Sequence, residues 1–155
     1  IDPATYTEWA AYRNSTGGAL ALSIMQDVKT KVEDDPRYGN VSVITTGPTQ
    51  WNNYGNLLVA QRRFTAEETM DGSFKALDFE GVPVVKVPAH VTGRMYFLSE
   101  KDRKGQANFQ YVHLQDFKTL DKSASKADSA YFLITHYAQL QNRNRRSQGV
   151  AVSLS

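Results

Sequence analysis

The sequence predicts a mixed α+β fold. Three observations carry this. An apolar stripe recurs every four residues between Thr16 and Asp35. Between Phe74 and Ser99, short β-branched and aromatic runs are separated by Gly and Pro. Near the C-terminus, strand-like patterns return at Phe109–Leu114, Ala130–Leu140 and Val150–Leu154. A period near 3.6 marks a helix packed on one side, and β-branched runs between turn formers mark strands.

The 155 residues suit one domain, long enough to bury a core. Hydrophobic residues make up 41% of the chain, and its 8 Tyr and 7 Phe argue against disorder. Cysteine is absent, which removes disulfides and thiolate metal sites and permits a reducing compartment. No apolar run approaches the length of a membrane span, and no signal peptide is visible. The chain begins at Ile1 and is read as processed, trimmed or a piece of something longer. Net charge is +2. Residues 1–70 hold 6 Lys/Arg and 8 Asp/Glu, and residues 71–155 hold 12 and 8. The second half is mildly basic, short of a dedicated nucleic-acid binder.

In order along the chain, Asp2-Pro3 favours a turn, and Tyr6, Trp9 and Tyr12 recur at a helical spacing of three. The helix over Thr16–Asp35 carries Leu20, Ile24, Val28 and Val32 on one face, with Met25 beside them. Thr16 is its candidate N-cap, and Pro36 and Gly39 end it. Val41, Val43 and Ile44 predict a short buried strand, broken by Gly47-Pro48. Thr49 opens a second helix reaching about Phe64, with Trp51, Tyr54 and Leu58 on one face and Arg62 and Arg63 at its negative end. Thr65–Ser73, with Glu67, Glu68 and Asp71, reads as an exposed loop without the ligand register of a calcium site.

Leu77–Phe79, Val82–Val87 and Met95–Leu98 predict a meander. Glu100–Asn108 is charged and flexible. Phe109–Leu114 alternates as a strand. Asp116–Asp128 places Lys118, Lys122 and Lys126 four apart, on a doubtful helix or a mobile loop. Ala130–Leu140 is a strand with Phe132, Ile134, Ala138 and Leu140 on one face and His136 among them, read as a hydrogen-bonded core histidine. The Arg-rich QNRNRRS stretch then joins it to the final strand, Val150–Leu154, as a hairpin.

A search for chemistry yields no catalytic, cofactor-binding or metal-binding residues. His90, His113 and His136 are isolated in sequence, outside metal-ligand spacings. No nucleophile elbow, phosphate loop or dinucleotide fingerprint occurs. Asp78 and Glu80 share one strand face and read as solvated acids. Two glycosylation triplets, at Asn14 and Asn40, lack a secretion signal. The chain therefore reads as a non-enzyme with no cofactor. The sharpest charge feature is Arg143, Arg145 and Arg146, suited to phosphate or carboxylate.

The central meander closely resembles a pattern of tailed-bacteriophage major capsid proteins: an apolar-x-Phe-x-Gly-x-Pro-Val-Val run, a short loop, then Gly-x-apolar-Tyr-Phe-Leu. Leu77, Phe79, Gly81, Pro83, Val84 and Val85 supply the first part, and Gly93, Met95, Tyr96, Phe97 and Leu98 the second. The flanking segments match in order. Tyr6 and Trp9 resemble the Tyr-x-x-Trp entry, Trp51 and the Tyr-x-x-Leu step at Tyr54 resemble the early axial helix, and Asn144, Arg145, Arg146 and Gly149 resemble the ending.

The resemblance implies the C-terminal half of a capsid protein with the Hong Kong-type fold, shared with encapsulin shells. That fold has an axial lobe, a sheet flanked by helices, and a peripheral lobe with a long helix. It places residues 1–155 in a single unit, with 1–39 and about 130–155 largely peripheral and about 40–129 largely axial. It implies a structural subunit that self-assembles as pentamers and hexamers into an icosahedral shell enclosing phage DNA. The virion capsid would be its location, after assembly in the bacterial host cytoplasm. Its partners would be copies of itself, with scaffolding, portal or decoration proteins as further candidates and non-specific contact with packaged DNA, but no membrane. Candidate assembly or DNA-facing residues are Arg143, Arg145, Arg146, Lys86, His90, Arg94, Lys101, Arg103 and Lys104. The alternatives are an encapsulin-like shell subunit and, in another class, a small α/β ligand-binding or hydrolase domain. The N-terminal arm and extended loop that interlock family members do not precede the helix here.

Overall fold

The computed structural model describes residues 5, 6, 10–34, 39–60, 68–70, 74–121 and 132–155. The expectations for Asp2-Pro3, Trp9, Pro36, Arg62, Arg63, Phe64, Glu67, Asp71, Lys122 and Lys126 lie outside the described residues. Two compact units emerge: residues 1–108 with 144–155, and residues 109–143.

The first unit is a seven-stranded mixed sheet with two helices. In chain order it contains β1 (Tyr12–Asn14), α1 (Leu22–Glu33), β2 (Val43–Thr46), α2 (Pro48–Ala60), β3 (Glu68–Met70), β4 (Phe74–Phe79), β5 (Val82–Lys86) and β6 (Met95–Leu98). The second unit consists of β7 (Phe109–Asp121) and β8 (Phe132–Asn142). A 3-10 turn at Arg145–Ser147 and β9 (Gly149–Ala151) return the chain to the first unit. The sheet order is β1-β9-β6-β2-β5-β4-β3. The β1–β9 and β2–β5 pairs are parallel, and the rest are antiparallel.

The register explains the core. Ile44 pairs with Val84 on one side and Phe97 on the other, and Phe97 pairs with Gly149. These residues form one rung on one face, where side chains two apart along each strand recur. Ile44, Val84 and Phe97 are fully buried, and they share one apolar cluster with Met25, Val28 and Val32 of α1 and Tyr54 and Leu58 of α2. The alternate residues Val43, Val85, Tyr96, Leu98 and Val150 are half-exposed. Tyr54 also donates its hydroxyl proton to the Asp78 carbonyl at 2.6 Å, so its polar end is satisfied inside the core.

Glycine at 149 has a packing reason. A Cβ there would lie 2.7 Å from Val28 Cγ1 and 2.7 Å from Val32 Cγ2. The bare backbone of β9 lets α1 rest directly on the sheet.

Helix α1 starts later than Thr16. Gly17 and Gly18 sit at φ +70° and +88°, outside the helical region, and Gly18 N donates to Ser153 O at 3.0 Å. Those residues are thereby tied to the C-terminal segment, and the helix begins after Ala21, which makes no side-chain cap. Tyr12 lies in a strand and not in a helical turn, because Tyr12–Asn14 pairs with β9.

Four other expectations change. Residues 68–70 are a strand paired with 74–76, where a loop was expected. Glu100–Asn108 is a hydrogen-bonded turn in which Asp102 accepts from Gly105 N and Gln106 N. Residues 116–121 continue β7 instead of forming a helix or loop, since each end of β7 is paired to β8. The strand at 132–142 pairs with β7, not with the last strand, because β9 is held between β1 and β6 with Ala151 fully buried.

A polar junction fastens β1 to α1. The Tyr12 hydroxyl and the Asn14 side-chain amide both donate to Asp27 Oδ2 at 2.7 Å. The Tyr12 hydrogen bond, then that of Asn14, holds the Asp27 carboxyl below the usual carboxylate range. The same hydrogen bond, with burial and the Asp27 charge, pushes the Tyr12 hydroxyl up. Asp27 therefore contributes stability that is present above its unfolded value and is lost as pH falls through its depressed folded value. Tyr12 contributes stability that is present below its unfolded value and is lost as pH rises through its raised one. Asp27→Asn is expected to lower the urea midpoint at neutral pH and to flatten the loss of stability below about pH 4. An unchanged acid slope would remove Asp27 from this role.

Candidate assembly surface

Among the described residues, the β7–β8 hairpin does not bury its own side chains. A two-stranded hairpin has no second layer and is marginal in water without one. Yet this one is rich in large apolar residues on both strands. Leu114 is 88% exposed, Phe117 77%, Ile134 66% and Leu140 65%. Tyr111, Phe132, Leu133 and Tyr137 are also exposed. Of the eleven large apolar residues exposed among the described residues, these eight lie on the hairpin. Fully burying each such side chain is worth roughly 1.5–3 kcal/mol. Large apolar residues left exposed on a single element mark an interaction surface more often than a free one.

The hairpin is also irregular. Its register shifts between His113 and Gln115 and again between Gln115 and Lys118. Each shift adds a residue to β7, and such bulges bend a strand and re-aim its side chains. His113 Nδ1 lies 3.1 Å from His136 Nε2 across the strands and 3.8 Å from Asp116 Oδ1. His136 is half-buried, stacked on the Phe117 ring at 4.3 Å, so it is not the core histidine its apolar neighbours suggest.

Of the sequence-derived charged candidates, all but Arg143 belong to the first unit. Lys86 ends β5 with its ammonium 4.9 Å from the Trp51 ring centre, a cation–π contact. His90 packs at 4.9 Å on Tyr96, its Nδ1 3.0 Å from the Val91 carbonyl oxygen, and its buried Nε2 has no hydrogen-bond partner among the described residues. Arg94 donates to the Tyr96 hydroxyl at 3.4 Å. Lys86, His90 and Arg94 thus frame one loop. Lys101, Arg103 and Lys104 are exposed on the next one, the 100–108 turn. Arg143 and Arg145 are exposed, whereas Arg146 turns inward and donates to the Ala10 carbonyl at 3.5 Å. The three arginines are therefore not one outward patch.

The paired acids also separate. Asp78 accepts from Gly81 N at 3.3 Å and tightens the β4–β5 turn. Glu80 forms an ion pair with Lys29 at 3.0 Å. No described helix is long and apolar enough to cross a membrane.

The hairpin's apolar surface is hidden in the sequence because apolar positions in strands ordinarily mark a core. The available signal was parity. Phe132, Leu133 and Ile134 are consecutive, so both faces of β8 are apolar, and a hairpin lacks the layers to cover both.

Comparison with solved structures identifies the fold. The chain matches the holo-SrpI encapsulin complex from Synechococcus elongatus with a TM-score of 0.67 and 13% identity, over 94% of this chain and 53% of that one. It matches the cyanophage A-1(L) capsid asymmetric unit with a TM-score of 0.65 and 17% identity, over 99% of this chain and 53% of that one. The mixed α+β architecture is the Hong Kong-type capsid fold, as the meander predicts. The chain spans about half the length of each of these two proteins. No protein-family model and no curated protein matches the sequence.

Proposed function

We propose that this chain is a shell-forming structural subunit, and more narrowly the C-terminal half of a phage major capsid protein. The observation that carries the reading is the β7–β8 hairpin, whose apolar residues have no cover among the described residues of their own unit. A repeated contact with neighbouring copies supplies that cover, and the fold is one found in a capsid and an encapsulin shell. Non-enzymatic function follows from the same reading. The subunit's partners are then copies of itself in pentamers and hexamers, joined by scaffold, portal or decoration proteins. Its place is the virion shell, assembled in the host cytoplasm.

The seven-stranded unit, a sheet carrying both helices, is assigned to the axial lobe. It includes β1, α1 and β9, which the resemblance places largely in the peripheral lobe, because they share one sheet and one core with β2, β5 and β6. The loops at Lys86–Arg94 and Glu100–Asn108 are assigned to contacts near the symmetry axes. Exposed Arg143 and Arg145 are assigned to packaged DNA or to acids of a neighbour.

Light scattering over a range of protein and salt concentrations tests the reading on protein expressed from its intact reading frame. The expected result is a mass of many subunits. A monomer under every condition would contradict it. The encapsulin likeness favours a second reading, a shell around protein cargo. The ultraviolet spectrum of purified particles separates the two, since nucleic acid raises absorbance at the base maximum and protein cargo does not.

A further inference from the structure

We propose that His113, Asp116 and His136 form a binding site for one borderline divalent transition-metal ion, with Zn²⁺ as the reference case. The inference rests on the hairpin's own geometry and does not depend on the assembly reading.

The three residues each bring one ligand atom into a cluster no wider than 4.8 Å. Two nitrogens bound tetrahedrally to one zinc at about 2.0–2.1 Å stand about 3.3–3.4 Å apart. The His113 Nδ1 to His136 Nε2 separation is 3.1 Å. The Asp116 carboxylate, 3.8 Å from His113 Nδ1, is 93% exposed and closes the remaining half-ångström or so by a rotamer adjustment. Imidazole and carboxylate ligands together suit zinc and its neighbours, whereas Mg²⁺ and Ca²⁺ prefer all-oxygen sites.

The backbone is irregular where this cluster needs it. Residues 113 and 116 are three apart, and in an unbroken strand they face opposite sides of the sheet. The register shifts within 113–118 undo that alternation and bring both onto the side of His136. Aromatic neighbours then fix the rings. Phe117 stacks on His136 with its plane 12° away, and Tyr111 meets His113 edge-on at 4.6 Å. An open hollow of about 460 Å³ beside the two histidines leaves room for a further ligand. Three protein ligands leave a tetrahedral ion one free position, for water or a donor from another molecule.

The test is titration calorimetry of the tag-free, chelator-stripped protein with Zn²⁺, with Co²⁺ absorption as a second readout of coordination number. One Zn²⁺ per chain with micromolar or tighter affinity is expected, together with the intense visible bands of four-coordinate Co²⁺. His113→Ala and His136→Ala should each weaken binding by more than the roughly 10–100-fold that loss of an outer-shell partner costs. Asp116→Asn should weaken it less, and His90→Gln should leave it unchanged. Circular dichroism of each variant checks that the fold persists. Absence of Zn²⁺ binding would overturn the proposal. So would binding that survives the His113→Ala and His136→Ala double variant, or six-coordinate Co²⁺ bound independently of these residues.

Discussion

Leu114→Lys with Ile134→Lys is expected to abolish association of the protein while leaving the seven-stranded unit folded. Both side chains are largely exposed in the chain by itself, so neither supports its core. Surface replacements of this kind usually change stability by no more than about 0.5 kcal/mol. In a contact between copies the arithmetic reverses. Each apolar side chain forfeits the roughly 1.5–3 kcal/mol that its burial contributes, and each lysine must be desolvated or excluded. In a closed shell the same contact recurs at every subunit, so the penalty recurs with it. Light scattering should report small species only, and circular dichroism should be unchanged. Particles that form normally would show that the hairpin's apolar residues do not meet a neighbour.

Gly39→Ala is expected to cost about 3 kcal/mol or more of stability, the upper range for overpacking. A Cβ at this position would collide with the Lys101 carbonyl oxygen and stand 2.6 Å from Ser99 Oγ. Neither neighbour is free to yield. Ser99 Oγ donates to Lys101 O at 2.9 Å. Ser99 N donates to Gln148 Oε1 at 2.9 Å, and its carbonyl accepts from Gln148 Nε2 at 3.1 Å and Asn108 Nδ2 at 3.0 Å. Ser99, Asn108 and Gln148 are all buried, so displacing this strand end leaves polar groups without water or partner. The chain leaves the sheet unit after Asn108 and re-enters it at Asn144, whose carbonyl accepts from Ser147 Oγ at 2.8 Å. Denaturant midpoints of Gly39→Ala would check the claim. A change within about 0.5 kcal/mol would show that the 99–101 segment adapts.

Local pattern was legible where local physics decided the outcome. The stripe of Leu20, Ile24, Val28 and Val32, with Met25 beside it, marked α1, although Leu20 precedes the helix, and the runs at Val82–Val87 and Met95–Leu98 marked β5 and β6. Long-range pairing was not legible. Nothing local tells Gly149–Ala151 to insert between β1 and β6, and a hairpin with the preceding strand is the cheaper local guess. Lysines spaced by four left a doubtful helix or a mobile loop over 116–128, yet Lys118 lies within a strand opposite Thr135. The register shifts in β7 depend on pairing with a strand some twenty residues away, so the meeting of His113 and His136 had no signature in either local window. Gly39 was read as a helix stop, but its reason is the approach of Lys101. The charged candidates belong to several places in the chain: Lys86 ends β5, His90 and Arg94 follow it, Lys101, Arg103 and Lys104 lie on the next turn, Arg143 follows β8, and Arg145 and Arg146 lie in the 3-10 turn. The apolar hairpin between 109 and 142 is the surface that stands out.

Electron microscopy of the protein expressed from its intact reading frame tests the central claim most directly. The account predicts closed shells, or rings of five and six subunits, in which each β7–β8 hairpin is covered by a neighbouring copy. Dispersed single subunits at every concentration and salt condition, with the hairpin uncovered, would contradict it.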